Sequence, residues 1–132
     1  MKAIATAGVT SSSVAYRQDI RTGNHTLVAD EPPDHGGQDA GPAPYDLLLA
    51  ALGSCTAITL EMYAAKKGWR LGQLRVDLTF FKNREGESHI ERVLHVTEPL
   101  DEEQWARLID VAGKTPVTKT LLSGTPITTT AG

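Results

Sequence analysis

The chain has 132 residues, a net charge of −3 and a single cysteine, and this length predicts one domain with a core of its own. The basic residues are scattered and form no stripe that would neutralise a phosphate backbone, which argues against nucleic acid as a partner. One cysteine cannot form an internal disulfide, so Cys55 is expected to be a free thiol in a reducing compartment. The N-terminal residues turn polar before the apolar core of a signal peptide develops, and a cytoplasmic protein is expected.

Residues 1–30 predict a small antiparallel β meander. Residues 2–9 and 14–20 have the β-branched, alternating character of strands, with a Thr-Ser-Ser-Ser turn between them. The tetrapeptide Arg-Thr-Gly-Asn that follows is typical of a tight hairpin turn, because glycine and asparagine tolerate positive φ. Residues 30–43 are rich in proline, glycine and aspartate without periodicity, and loops of this length are often functional.

Residues 44–67 predict one long central helix. Pro44 suits the first helical position, and Gly68 suits the position just after the end. No side chain of residues 47–60 is charged, so the helix is expected to be buried on all sides in a protein core. Its apolar section is shorter than the roughly 20 residues of a bilayer span, so no membrane partner is expected. A domain of this size cannot easily surround such a helix, which predicts an intimate homodimer.

The second half of the chain predicts a hairpin, two helices and a last strand. Residues 74–96 alternate apolar and polar side chains on both sides of a Gly-containing turn, which is typical of a β-hairpin. Residues 101–124 predict two helices, for which Asp101 and Thr115 are the N-cap residues. Residues 126–130 predict a strand at a sheet edge, because the segment begins with proline. The predicted fold class is α+β.

Cys55 is the first candidate for chemistry. A thiol with an ordinary pKa of about 8.5 is only slightly ionised at neutral pH, so a reactive cysteine requires a nearby cation or hydrogen bonds to the anion. The candidate activators are Arg17 and Arg21, with Asp46 or Glu61 orienting the guanidinium. The alternatives are that Cys55 is a small core residue and that Asp46 only complements the helix dipole.

Metal and nucleotide sites have little support in the sequence. The four histidines lack the spacing of metal ligands, and Cys55 has no second cysteine with which to hold zinc. The glycines of residues 36–41 lack the spacing and the preceding strand of a phosphate-binding loop. No metal or other cofactor is therefore expected.

The chain resembles the OsmC/Ohr family of osmotically induced and organic hydroperoxide resistance proteins. The resemblance is carried by Ala-Asp-Glu-Pro at 29–32, the long segment at 36–69, Leu-Asp-Glu-Glu-Gln at 100–104 and Pro-Val-Thr-Lys-Thr-Leu at 116–121. It implies an α+β fold in which two chains intertwine around their central helices, with antiparallel sheets outside and two sites at the dimer interface. It also implies that Cys55 is the peroxidatic cysteine and that an arginine of the N-terminal meander, Arg17 or Arg21, activates it.

Two positions depart from the family pattern. Thr115 stands where relatives usually have a second, resolving cysteine, which places the chain in an OsmC-like branch without it. A sulfenic acid on Cys55 would then need an external thiol as reductant. Tyr45 stands where the organic hydroperoxide branch has a glutamate, and Asp46 follows one step later, about 100° around the helix.

The function that the resemblance implies is a one-cysteine, thiol-dependent peroxidase of peroxiredoxin-like activity. It would reduce organic hydroperoxides in oxidative or osmotic stress defence. The alternative is a non-catalytic stress dimer that binds a small apolar ligand or senses oxidant through Cys55, with Thr115 marking the loss of peroxidase function. A cysteine hydrolase is less favoured, because no histidine is placed as an evident base.

Overall fold

The computed structural model describes residues 1–132 and confirms the α+β fold class. Met1–Leu48 and Leu49–Gly132 form two compact units by their internal contacts. The elements in chain order are β1 (Gly8–Ser11), β2 (Gln18–Thr22), β3 (His25–Ala29), a 3-10 helix (Pro33–His35), α1 (Pro44–Lys67), β4 (Leu74–Lys82), β5 (Ser88–Val96), α2 (Glu102–Ala112) and α3 (Pro116–Ser123).

The first three strands form an antiparallel sheet in the order β1-β2-β3. A tight turn joins β2 to β3, and Gly23 adopts a φ of 57° there, as the sequence predicts. The first two strands begin later than predicted. The side chain of Ser12 bonds the backbone of Val14, and the Ser12 amide donates to the carbonyl of Arg17, so residues 12–17 form a loop instead of the start of a strand.

A buried carboxylate organises the loop before α1. Asp30 is only 2% exposed and accepts hydrogen bonds from four backbone amides, those of Tyr16, Glu31, Gln38 and Ala40. The hydrogen bond from Ala40, together with the other three, lowers the pKa of Asp30 although burial of the carboxyl acts in the opposite direction. The ionised side chain therefore holds the loop closed.

Two glycines of the same loop have no room for a side chain. A Cβ at Gly37 would overlap the carbonyl of Glu31, and one at Gly41 would overlap the carbonyl of Val28. The close approach of these backbone segments explains why the loop is rich in glycine.

The central helix α1 has the bounds that the sequence predicts, but the chain does not bury it on all sides. One stripe is covered, consisting of Leu52, Gly53, Thr56, Leu60 and Ala64. On the opposite side Ile58 is 51% exposed and Met62 is 64% exposed. The expectation of all-round burial is thus wrong for one chain, because the core of the unit Leu49–Gly132 lies against a single stripe of the helix.

By length and composition alone, α1 is long and apolar enough to cross a bilayer, so the expectation that its apolar section is too short for a span is wrong. The central helices of folded domains have the same properties. The helix also carries Lys66 and Lys67 in its last turn.

The core of the unit Leu49–Gly132 forms where α1 packs against the hairpin and α2. Its buried members are Leu60, Ala64, Leu71, Leu108 and Ala112. The hairpin pairs β4 with β5 in register from Leu74↔Val96 to Lys82↔Ser88, so alternate side chains of both strands face this core.

The predicted helix caps are present, whereas the predicted last strand is not. Asp101 and Gln104 form the reciprocal hydrogen bonds of a capping box, and Thr115 caps α3. Residues 126–130 form no strand and pair with no other segment. The prediction of a strand there is wrong because a strand needs a partner for its backbone groups, and neither sheet of the chain extends to this segment.

Replacement of Leu60 by alanine tests the core. The side chain is fully buried, so Leu60→Ala should lower the free energy of unfolding by about 2–5 kcal/mol, through lost burial and the cavity left behind. Leu122→Ala makes the same chemical change at a side chain that is 80% exposed and should cost less than about 0.5 kcal/mol. Urea denaturation measures both, and equal losses would contradict this description of the core.

Replacement of Asp30 by asparagine tests the loop. The pKa of Asp30 is lowered in the folded chain, so its contribution to stability is present above the unfolded value of 3.8 and is lost as the pH falls through the folded value. Asp30→Asn should therefore lower the urea midpoint at pH 7 and reduce the difference between pH 7 and acidic pH. The matched control is Asp34→Asn, at an exposed carboxylate of the same loop. An unchanged pH dependence in Asp30→Asn would contradict the assigned role.

Candidate active site

Cys55 lies on α1 at the border between the buried stripe and the open side of the helix. Successive helical residues are about 100° apart, so Thr56 points toward the core while Ser54 points away from it. The Cys55 side chain lies between these directions, and the structure records it as a half-buried free thiol. The sulfur is thus partly covered by the fold and partly accessible.

Arg92 is the one charged residue among the inward-facing positions of β5. Ile90, Arg92, Leu94 and Val96 are the partly buried residues of that strand, and they alternate with exposed ones. Arg92 pairs in register with Leu78 of β4. A Cβ at Gly53 of α1 would lie 2.8 Å from Leu78 Cδ1, so the helix approaches the hairpin closely beside Arg92.

Three hydrogen bonds hold the guanidinium of Arg92. Nη1 donates to Thr56 Oγ1 and to Thr118 Oγ1, both at 2.9 Å, and Nη2 donates to the carbonyl of Ala112 at 2.8 Å. These acceptors belong to α1, α3 and the end of α2. Arg92 therefore joins three helices to the hairpin, next to the turn of α1 that contains Cys55.

The hydrogen-bonded cluster continues to Thr115. The hydroxyls of Thr115 and Thr118 are 2.6 Å apart, and both residues are buried. The Thr56 hydroxyl in turn donates to the carbonyl of Leu52 at 2.7 Å. Thr115, which stands where the family resemblance places a resolving cysteine, is thus the N-cap of α3. Its hydroxyl forms a hydrogen bond with Thr118, which in turn accepts one from Arg92.

The charge of Arg92 has no carboxylate partner. Every acceptor of its guanidinium is a neutral hydroxyl or carbonyl, and none of the ion pairs in the chain includes it. Burial lowers the pKa of Arg92, and its Coulomb interaction with Cys55 acts in the opposite direction. The structure therefore places a positive charge beside the turn of α1 that contains the only cysteine.

The other predicted site residues lie in the unit Met1–Leu48. Arg17 forms an exposed ion pair with Asp19 at 3.1 Å, and Arg21 lies exposed on β2. Both line an open groove of about 570 Å³ on the N-terminal sheet. Asp46 is exposed and accepts a hydrogen bond from the Ala43 amide at 3.0 Å, as expected of an acid in the first turn of a helix. Their approach to Cys55 stays a prediction.

Arg92 is the functional candidate that the sequence reasoning missed. The signal was available, because Arg92 interrupts the apolar inward face of a strand whose alternation is otherwise regular. No three side chains of His, Cys, Asp or Glu come together in the chain as metal ligands would.

Comparison with known proteins gives the family. The family model described as OsmC-like protein matches residues 36–130. A search of curated protein sequences finds no match. The match with the family model covers most of the chain and includes Cys55, Arg92 and the threonine cluster.

Solved structures of OsmC and Ohr proteins share the fold at low sequence identity. An OsmC-like protein from Mycoplasma pneumoniae has a TM-score of 0.78 at 19% identity, over 92% of this chain and 89% of that one. An organic hydroperoxide resistance protein OsmC from Legionella pneumophila has a TM-score of 0.67 at 17% identity, over 90% and 89%. The organic hydroperoxide resistance protein OhrB of Bacillus subtilis has a TM-score of 0.60 at 21% identity, over 89% of each chain. With a family model matching residues 36–130, the chain belongs to the OsmC-like protein family.

Proposed function

We propose that this protein is a one-cysteine, thiol-dependent peroxidase that reduces organic hydroperoxides in oxidative or osmotic stress defence. The observation that carries the proposal is a half-buried free thiol, Cys55, next in sequence to Thr56, whose hydroxyl accepts a hydrogen bond at 2.9 Å from Arg92, a cation without a carboxylate partner. Two structural neighbours, from Legionella pneumophila and Bacillus subtilis, are named as organic hydroperoxide resistance proteins, which supports the choice of substrate class.

The reaction begins with attack of the Cys55 thiolate on one peroxide oxygen. An S–O bond forms, the O–O bond breaks, and the leaving alkoxide takes a proton to become an alcohol. The sulfur loses two electrons and becomes a sulfenic acid, while the peroxide gains two. A neighbouring cation favours this step because it stabilises the anionic form of the nucleophile.

An external thiol completes the cycle. The chain has no second cysteine, so the sulfenic acid on Cys55 cannot form an internal disulfide. A first thiol condenses with it and releases water, and a second thiol then attacks the mixed disulfide and regenerates the Cys55 thiol. The net reaction converts a hydroperoxide and two thiols into an alcohol, water and one disulfide.

The open side of α1 would contribute apolar side chains to a pocket between two copies of the chain, and such a pocket favours an organic substrate. Apolar side chains on that side, among them Ile58 and Met62, are more than half exposed within one chain. Binding of an alkyl or aryl hydroperoxide is favoured because transfer of its apolar part from water to such a surface lowers the free energy. Hydrogen peroxide has no apolar part to transfer.

Hydroperoxide consumption tests the function. With dithiothreitol as reductant, the wild-type protein should consume cumene hydroperoxide over many turnovers and faster than hydrogen peroxide. Cys55→Ser should fall to the rate of buffer, because the serine hydroxyl cannot replace the thiolate as nucleophile. Residual hydroperoxide is measured over time, with the fold of both proteins checked by circular dichroism.

Equal consumption by the wild type and Cys55→Ser would overturn the peroxidase proposal. The intact mass of the protein after one equivalent of hydroperoxide then distinguishes the two alternative functions. An unmodified Cys55 favours a dimer that binds a small apolar ligand, and a single added oxygen without turnover favours an oxidant sensor.

We infer that a second copy of the chain covers the open side of α1. The small side chains Ala50, Ala51 and Ser54 are exposed there, as are Ile58 and Met62. Small residues allow two helices to approach closely, and the exposed apolar ones supply burial. The two copies would then bring both Cys55 residues near their interface.

Sedimentation measures the oligomeric state. The wild type should sediment as a dimer at micromolar concentration, and Ile58→Glu should dissociate it because the change places a charge on the covered surface. Thr79→Glu introduces the same charge on the exposed face of β4 and should leave the dimer intact. A folded monomer of the wild type at high concentration would contradict the inference.

A further inference from the structure

The environment of Arg92 is unusual for a buried cation. Transfer of a charged group out of water costs free energy unless an opposite charge compensates it. The acceptors of Arg92 are two threonine hydroxyls and one backbone carbonyl, all of them neutral. The cluster thus fixes the position of the guanidinium without pairing it with a carboxylate.

The geometry directs this charge to the Cys55 turn of α1. Thr56, which accepts from Nη1, is the next residue after Cys55. A guanidinium has five N–H groups, and three of those of Arg92 have acceptors in the protein. The Nε–H and one N–H of Nη2 have no acceptor in the chain, and Arg92 forms no hydrogen bond with the Cys55 sulfur, so it would act on that sulfur through its charge.

We propose that Arg92 stabilises the thiolate of Cys55 and that Thr56 and Thr118 are positioning residues that hold the guanidinium for this purpose. The inference rests on the proposed peroxidase function and assigns its activating cation to β5 of the same unit.

The threonines suit this role because they are neutral and rigid. A carboxylate in their place would pair with the guanidinium and cancel its effect on the sulfur. Thr118 is itself held by Thr115 at 2.6 Å, and the β-branched side chains have few rotamers to exchange. Thr115 therefore acts on Cys55 through Thr118 and Arg92.

Few other charges face Cys55 from the elements around it. On α1 the nearest charged residues in sequence are Asp46 and Glu61, both exposed. Arg92 is the only charged residue among the partly buried positions of β4 and β5. On α3 the only charged residue is Lys119, which is exposed. On α2 the charged residues are Glu102, Glu103, Arg107 and Asp110, all of them exposed.

The pH dependence of alkylation tests the proposal without any need for peroxidase turnover. Full-length protein is treated with iodoacetamide between pH 5 and 10, and the rate of Cys55 modification is followed by intact mass. Only the thiolate reacts at an appreciable rate. In Arg92→Met the pH of half-maximal rate should rise by about one unit or more, with about a tenfold slower reaction at pH 7.

Three further variants separate charge from structure. Arg92→Lys keeps the charge, and its profile should lie closer to that of the wild type than the profile of Arg92→Met does. Thr118→Val removes one acceptor of the guanidinium and should shift the profile in the same direction as Arg92→Met, but by less. The matched control is Arg75→Met, at an exposed arginine of the same hairpin that pairs with Asp77. It should leave the profile unchanged. Circular dichroism checks each fold, and Arg92→Lys and Thr118→Val carry the test if Arg92→Met does not fold.

The outcomes distinguish this inference from the proposed function. A shifted profile in Arg92→Met supports the assignment even if the wild type consumes no hydroperoxide. An unchanged profile in a folded Arg92→Met overturns it even if the wild type is an active peroxidase. A shift in Arg17→Met or Arg21→Met without one in Arg92→Met also overturns it and returns the role to the N-terminal arginines.

Discussion

The packing of one stripe of α1 on the β4–β5 hairpin is the contact on which the candidate site depends. Gly53 lets the helix approach Leu78, and Leu60 and Ala64 extend the same stripe into the core. Thr56 lies on this stripe, which brings it within hydrogen-bond distance of Arg92. The apolar packing that stabilises the fold thus also determines which face of the helix meets the cation and where Cys55 lies relative to it.

A charged residue inside such a contact works against stability. Arg92 is partly buried, makes no ion pair and is held by neutral groups alone. An apolar side chain in its place would leave the Thr56 and Thr118 hydroxyls and the Ala112 carbonyl without this donor. Arg92 therefore joins the helices to the hairpin, and the proposed effect of its charge on Cys55 adds to that structural role.

Local patterns accounted for most of the secondary structure. The bounds of α1 follow from Pro44 and Gly68, the capping box follows from Asp101 and Gln104, and the hairpin follows from its alternation. The strand predictions were wrong where the local preference of the residues did not decide the structure. Residues 126–130 have strand character but no partner strand, and Ser12 uses its side chain to form a loop.

The sequence by itself determined the helices, the hairpin and the family, and it singled out Cys55 as the candidate nucleophile, because each of these depends on neighbours along the chain. Only the tertiary structure decided which residues surround Cys55. Arg92 meets Thr56 and Thr118 across separations of 36 and 26 residues, and it meets the Ala112 carbonyl across 20. No spacing rule connects such positions. They come together because α1, α3 and the end of α2 pack against one face of the same hairpin.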